Sequence, residues 1–257
     1  MSSVPLRFIV VCAAIWPSVP AQADSMEAKR IQASIKQAQA FLVKSQNADG
    51  SWSLGSANRY RTGVSSLTVL ALINSGLTEK DRSVAKGLEY LRDVRDPEST
   101  YERSLLISVL AAAKAGVKDR AQILSLAKKL EDSQIMRGNN TGLWSYGKRD
   151  DLINLGGDRS NGQFAVLGLR DAAHAGIPVS RRTWERVRDH WQKFQNPDGG
   201  WGYAGPGRST GSMTVAGIST LTITESMLQD GKQDTNDDGS PMCCGGQKSD
   251  VALEKAV

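Results

Sequence analysis

The segment Gln195-Asn-Pro-Asp-Gly-Gly-Trp201 decides the fold, because a second copy stands at Gln46-Asn-Ala-Asp-Gly-Ser-Trp52. In each copy a helical pattern runs up to the glutamine, an Asp-Gly turn interrupts it, and a tryptophan closes the turn. Gly50 and Gly199 can take positive φ without a Cβ clash, which favours a tight turn. The glutamine can hydrogen-bond unpaired groups at a helix end, while the indole covers the neighbouring helices. Two copies of such a turn predict a repeat protein built from helical hairpins.

Amphipathic helices alternate with helices that are apolar or small nearly all round. The amphipathic stripes before the two turns are Ile31, Ile35, Ala38 and Leu42, and Trp184, Val187, Trp191 and Phe194. Segment 64–73 is apolar or small nearly all round, so we expect other helices to surround it, and 104–115, 163–175 and 212–227 are the corresponding buried partners of the later pairs. Glycines at 76, 116 and 176 follow the first three of these segments and predict C-terminal caps. The pattern predicts four helical hairpins, arranged as a solenoid or a closed ring.

Three helix starts have recognisable capping residues. Ser99 with Glu102, and Ser160 with Gln163, have the spacing of a capping box. Ser180 stands at a predicted N-cap ahead of the tryptophan-rich stripe.

The motif Gln-x-x-x-Gly-x-Trp resembles the QW repeat of squalene and oxidosqualene cyclases. Phe41-Leu42 precedes its first copy and Trp191 its second, and a stretched copy begins at Gln134 and ends in Gly142-Leu-Trp144. That family and the β-subunits of protein prenyltransferases share an α/α toroid, in which inner and outer helices alternate around a central apolar cavity. The resemblance covers roughly residues 27–230 and implies an all-α fold of the toroid type. Four hairpins would form an incomplete ring.

The chain divides into three predicted regions. Residues 1–23 resemble a secretory signal peptide, with Arg7, a short apolar run, and small residues before Asp24. Residues 24–230 form the repeat domain, and 231–257 form a polar linker followed by the start of a further repeat. We therefore expect an exported protein, periplasmic or extracellular, without a membrane span after signal cleavage, because the apolar run is too short to cross a bilayer.

Composition narrows the function classes. The formal net charge is +5, but basic and acidic residues alternate along the helices, so nucleic-acid binding is not expected. Of three cysteines only the adjacent pair Cys243-Cys244 follows the signal segment, which excludes a disulfide framework. The role of this pair stays open between a vicinal disulfide and pairing with another segment.

The catalytic residues of the resembling families do not recur here. The Asp-x-Asp-Asp acid of class II terpene cyclases is missing, since Asp150-Asp151 lacks the first aspartate and 235–238 reads Thr-Asn-Asp-Asp. The zinc set of prenyltransferases is missing as well, since no histidine follows Cys244, and His174 and His190 are expected at helix ends or on the surface. Asp234, Asn236 and Asp238 resemble half of a calcium loop, but position twelve is Gly245 rather than glutamate. No catalytic residue, metal or cofactor is therefore predicted.

These observations favour a non-catalytic binding or scaffold module. Its expected partner is a small apolar ligand or another protein. Two alternatives stay open: a terpenoid cyclase or prenyltransferase whose catalytic residues lie in a further C-terminal part, and a carbohydrate-active enzyme using Asp150, Asp151 and Asp158. The candidate ligand-binding residues lie in turns that lead into the apolar helices; they are Tyr60, Arg61, Trp144, Tyr146, Asn161, Gln163, Tyr203 and Arg208.

Overall fold

The computed structural model describes residues 22–54, 60–114, 116–147, 156–229 and 251–256. The described residues form nine helices and no β-strand. The helices are α1 (Gln22–Lys44), α2 (Arg61–Asn74), α3 (Arg82–Asp93), α4 (Thr100–Ala112), α5 (Val117–Asp132), α6 (Arg159–His174), α7 (Arg181–Lys193), α8 (Gly211–Gln229) and α9 (Val251–Ala256). The predicted all-α fold is confirmed.

The chain divides into two units at the boundary between Phe41 and Leu42. The described part of the first unit is a single helical segment, the portion of α1 up to Phe41. The predicted helix is formed. Along its apolar stripe Ile31 is 54% exposed and Ile35 is half-buried, since helical spacing shows which side chains share a face but not which are covered.

In the second unit the even-numbered helices pack against one another in chain order, α2 on α4, α4 on α6, and α6 on α8. The odd-numbered helices α3, α5 and α7 each pack against an even-numbered neighbour. The core lies between the two sets and includes Leu72, Leu88, Leu106, Ile123 and Leu169, all fully buried. The alternation of apolar and amphipathic helices is therefore confirmed, and closure into a toroid stays a prediction.

The helix boundaries correct two predictions about caps. Helix α4 begins at Thr100 and ends at Ala112, and the left-handed position after it is taken by Lys114, with φ 53°. Gly116 instead precedes α5 with a φ of −70°. Helix α6 is capped by Asp158, whose side chain accepts a hydrogen bond from the Asn161 amide, and Ser160 lies inside the helix. The remaining predictions hold: Ser99 accepts from the Glu102 amide, and Gly76 and Gly176 have positive φ.

Candidate functional site

The turn of the first Gln-x-x-x-Gly-x-Trp motif connects two helices through side-chain hydrogen bonds. Gln46 Nε2 donates to the carbonyl oxygens of Gly50 and Ser83, both at 2.9 Å. Ser83 belongs to α3, so the amide links the end of α1 to the start of the next amphipathic helix. Trp52 Nε1 donates to the Leu42 carbonyl at 2.7 Å. We call this arrangement of glutamine, glycine and tryptophan a clamp.

The second clean copy has the same geometry. Gln195 Nε2 donates to the carbonyls of Gly199 and Ala252, both at 2.7 Å. Trp201 Nε1 donates to the Trp191 carbonyl at 2.8 Å. Since Ala252 lies in α9, residues 251–256 occupy the position that α3 has in the first clamp. The start of a further repeat was predicted in this region, and the structure has a helix there that is held by Gln195 of this second copy.

The stretched copy also forms a complete clamp, although its turn is longer. Gln134 Nε2 donates to Gly142 and Thr183 carbonyls at 3.3 and 3.2 Å, and Trp144 Nε1 donates to Leu130 at 2.7 Å. The two partner carbonyls keep the same positions relative to the helices as in the other copies. The additional residues of the turn thus extend outward without changing the contacts.

Each clamp requires glycine, because the turn touches the next helix. A Cβ added at Gly50, Gly142 or Gly199 would lie 2.7–2.8 Å from a carbonyl carbon of that helix. All three glycines also have positive φ, between 82° and 92°. These residues are structural, which is the role predicted for Gln46, Gly50, Trp52, Gln195, Gly199 and Trp201.

The junction between α3 and α5 has no clamp and uses another set of side chains. Gln122 Nε2 on α5 reaches back to the Val94 carbonyl at 2.7 Å and to Leu91 at 3.4 Å. Arg92 donates two hydrogen bonds to the buried Asp119 carboxylate, at 2.9 and 2.8 Å. These bonds raise the pKa of Arg92 above its usual value. A side chain of α5 thus supplies the hydrogen bonds for the carbonyl groups at the end of α3.

Two predicted ligand-binding residues meet next to the clamps. Tyr146 and Tyr203 each stand two residues after a clamp tryptophan, and their hydroxyl oxygens are 2.5 Å apart. The Asp158 amide donates to the Trp144 carbonyl, and the Arg159 amide donates to the Tyr203 carbonyl. The start of α6 therefore anchors both loops and brings the two phenols together.

Sequence reasoning missed three further members of this cluster. The Tyr101 ring lies 5.7 Å from that of Tyr146 and 4.6 Å from Phe164, measured between centroids. Tyr101 Oη donates to Ser160 Oγ at 2.7 Å. We call Tyr101, Tyr146, Ser160, Phe164 and Tyr203 the tyrosine cluster. Tyr101 and Phe164 lie inside helices, where aromatic residues usually indicate packing rather than a site.

Two phenols of the cluster are harder to ionise than a free tyrosine. Burial raises the pKa of Tyr101 to about 12, and burial also raises the pKa of Tyr203. Tyr146 and Tyr203 nevertheless remain 47% and 45% exposed. The cluster can therefore offer aromatic faces and hydroxyl groups to a ligand.

Buried polar residues at the start of α6 fix the backbone beside the tyrosine cluster. Both carboxylate oxygens of Asp158 accept from Asn161, from its backbone amide at 2.8 Å and its Nδ2 at 2.7 Å. Arg159 Nη1 donates to the carbonyls of Gly202 and Gly205, and burial lowers the pKa of Arg159. Asp158 thus caps α6, and Asn161 is fully buried beside it with its Oδ1 unpaired, so neither side chain reaches the surface.

The other predicted binding residues do not join the tyrosine cluster. Trp144 is fully buried in its clamp, and Gln163 is half-buried on α6. Tyr60 and Arg208 are exposed in loops. Arg61 forms an ion pair with Asp49 in the first turn. The sequence indicated that these residues lie in turns leading into helices. It could not show which of those turns are neighbours in the folded protein.

A continuous surface extends from the tyrosine cluster along α4 and α6. On α4 the shared face carries Tyr101, Leu105, Ser108 and Ala112, and on α6 it carries Phe164, Leu167, Asp171 and His174. Its far end is a cavity of about 380 Å³ that Leu70 and Asn74 of α2 also line. The face extends over eleven residue steps of α4, from Tyr101 to Ala112, so the helix rise per residue gives this α4–α6 face a length of about 16 Å.

His190 lies in the last turn of α7, which agrees with the predicted helix end, but its side chain is buried rather than on the surface. Its pKa falls to about 4 because burial and the charge of Arg159 disfavour protonation. Within the described ranges no group of three His, Cys, Asp or Glu residues could hold a metal ion. Nor is any described helix both long and apolar enough to span a bilayer.

Several sequence predictions lie outside the described residues. These are the signal segment up to residue 21, the acids Asp150 and Asp151, the half calcium loop, and the cysteine pair. The sequence matches no protein-family model and no curated protein. The resemblance to the cyclase and prenyltransferase families therefore depends on the clamp residues and stays a prediction.

Proposed function

We propose that this chain is an exported, non-catalytic binding module of the squalene-cyclase-like α/α toroid type. Its ligand is an elongated apolar molecule that lies along the α4–α6 face. The observation that carries the proposal is the exposure of apolar and aromatic side chains on two helices that otherwise bury such residues. An apolar surface that remains accessible in a folded domain is typical of a binding site.

The middle of the face supplies the apolar contacts. Tyr101, Leu105, Phe164 and Leu167 are each partly exposed, and they come from facing positions of neighbouring helices. Because Leu105 and Leu167 are already largely buried, a ligand that covers the rest of one leucine side chain gains roughly 0.5–1 kcal/mol.

The two ends of the face are polar, which favours a ligand with at least one hydroxyl or comparable group. At one end the Tyr146 and Tyr203 hydroxyls can donate or accept a hydrogen bond. At the other end Asn74, Asp171 and His174 line the cavity. An apolar centre with a few polar groups is the usual composition of a small-molecule site.

The proposal can be tested with 1-dodecanol, which combines an extended alkyl chain with one hydroxyl. Isothermal titration calorimetry should detect binding to the parent protein. Leu167→Gln should weaken binding about two- to five-fold, because it removes one partly exposed leucine contact worth roughly 0.5–1 kcal/mol. Leu124→Gln is the matched control, since Leu124 is 49% exposed but lies on α5, away from the face.

Two results would contradict the proposal. One is equal loss of affinity in both leucine variants, which would indicate nonspecific adsorption. The other is no binding by the parent, which would exclude an elongated apolar ligand at this face.

A further inference from the structure

A second cavity lies on the other side of α4 and has a different chemical character. Its volume is about 540 Å³, and it is lined by the first turn of α4, the end of α5, and residues of the stretched clamp turn. Arg103 lines it from two positions after Tyr101, so the cavity and the α4–α6 face lie on opposite sides of that helix.

Arg103 is the unusual residue of this cavity. It is only 6% exposed, and its Nε has no hydrogen-bond partner. The nearest carboxylate oxygen, Asp96 Oδ1, is 4.0 Å from its Nη2. Asp96 itself is held by Lys129 Nζ at 2.7 Å. A guanidinium this deeply buried normally has direct carboxylate or carbonyl partners, because an unpaired buried charge is costly.

The surrounding charges favour an anion next to Arg103. Lys129 and Arg137 also line the cavity, so three basic side chains face two acidic ones, Asp96 and Asp132. The N-terminal turn of α4 adds the positive end of a helix dipole, since Thr100 and Arg103 belong to that turn. A planar guanidinium with a free N–H is well matched to carboxylate or phosphate oxygens.

We propose that this cavity binds a small oxyanion, a carboxylate or a phosphate, through Arg103 with Lys129 and Arg137 at its rim. The bound group would lie against the Arg103 guanidinium, whose Nη2 is 4.0 Å from the nearest carboxylate oxygen. The site does not depend on the proposed function, because no residue of the α4–α6 face contributes to it.

The direct test is the Nε–H resonance of Arg103 in ¹⁵N-edited NMR spectra, assigned by comparison with Arg103→Gln. Inorganic phosphate or succinate should shift this resonance in a saturable manner, whereas sodium chloride of equal ionic strength should not. A shift with phosphate alone would assign the site to phosphate groups, and a shift with succinate alone would assign it to carboxylates. If neither anion moves the resonance at millimolar concentrations, the proposal is wrong.

Surface variants keep the test independent of folding defects. Arg137→Gln and Lys129→Gln should each weaken binding of the anion by about three- to ten-fold, since each variant removes one positive charge close to the anion. Lys128→Gln is the control, because Lys128 is exposed on the same helix and does not line the cavity. Equal affinities in all three variants would show that the anion does not bind in this cavity.

Discussion

The stretched clamp offers a matched pair of glycines that separates backbone strain from close packing. Gly138 and Gly142 lie in the same turn and have similar positive φ values, 77° and 92°. A Cβ at Gly138 would meet nothing within 4 Å, whereas one at Gly142 would lie 2.7 Å from the carbonyl carbon of Arg186. Alanine at either position carries the left-handed penalty of about 1–2 kcal/mol. Only at Gly142 does it also collide with α7.

We expect Gly138→Ala to reduce the free energy of unfolding by about 1 kcal/mol and Gly142→Ala by about 4 kcal/mol. The difference combines overpacking of about 1–3 kcal/mol with weakening of the two hydrogen bonds of Gln134, about 1 kcal/mol each. Urea denaturation followed by circular dichroism measures both values. Equal losses in the two variants would refute the view that contact with the next helix, rather than φ, requires glycine in the clamp.

Three further changes have defined outcomes. Lys114→Gly should stabilise the protein by about 1 kcal/mol, because glycine removes the strain at φ 53°; an unchanged melting temperature would contradict this. Burial and Arg159 lower the pKa of His190 to about 4, so the unfolded protein, in which this pKa is about 6.5, binds a proton at His190 more readily than the folded protein. The free energy of unfolding should therefore be largest above pH 6.5 and fall by up to about 3 kcal/mol towards pH 4. His190→Gln should flatten that part of the pH profile, and an unaltered slope would contradict the assignment. Asp119→Asn should lower the free energy of unfolding by about 1–2 kcal/mol, because it weakens the partly exposed ion pair with Arg92. Asp93→Asn on the surface is the control, and equal losses of stability in the two variants would show that the pair contributes nothing.

The clamps explain why the helical part of the fold could be predicted from sequence. Glutamine, glycine and tryptophan recur in the same order, and each performs a task that few other residues can perform. The order was visible even at Gln134, where the turn is longer, and the structure forms the same hydrogen bonds there. What the order could not show is burial: Ile31 has helical spacing yet remains exposed.

The ends of helices were less predictable because several residues can satisfy the same backbone groups. Gly116 looked like a cap for α4, but the structure ends that helix earlier and places Lys114 in the left-handed conformation. Asp158 and Ser160 both have good capping side chains, and the backbone selects Asp158. Sequence alone does not distinguish candidates that lie two residues apart.

The candidate site was predicted only in part, since its members come from four separate segments. Tyr146 and Tyr203 could be selected because each lies in a turn that leads into an apolar helix. Their contact with Tyr101 depends on the packing of α4 against α6, which no spacing in the chain encodes. The same limit applies to Arg103, whose missing hydrogen-bond partner is visible only when its neighbours are placed.

The repeats are more regular in structure than in sequence, and the α3–α5 junction shows why. Every hairpin leaves unpaired carbonyl groups where one amphipathic helix ends and the next begins. A clamp satisfies a carbonyl at the end of the earlier helix with its tryptophan N–H, while its glutamine reaches the later helix. At the α3–α5 junction Gln122 satisfies the end of α3 from the later helix instead. Both solutions hold the two helices in contact without requiring the same residue after the tryptophan, where Leu54 follows Trp52 but tyrosines follow Trp144 and Trp201, and those two tyrosines meet beside the start of α6.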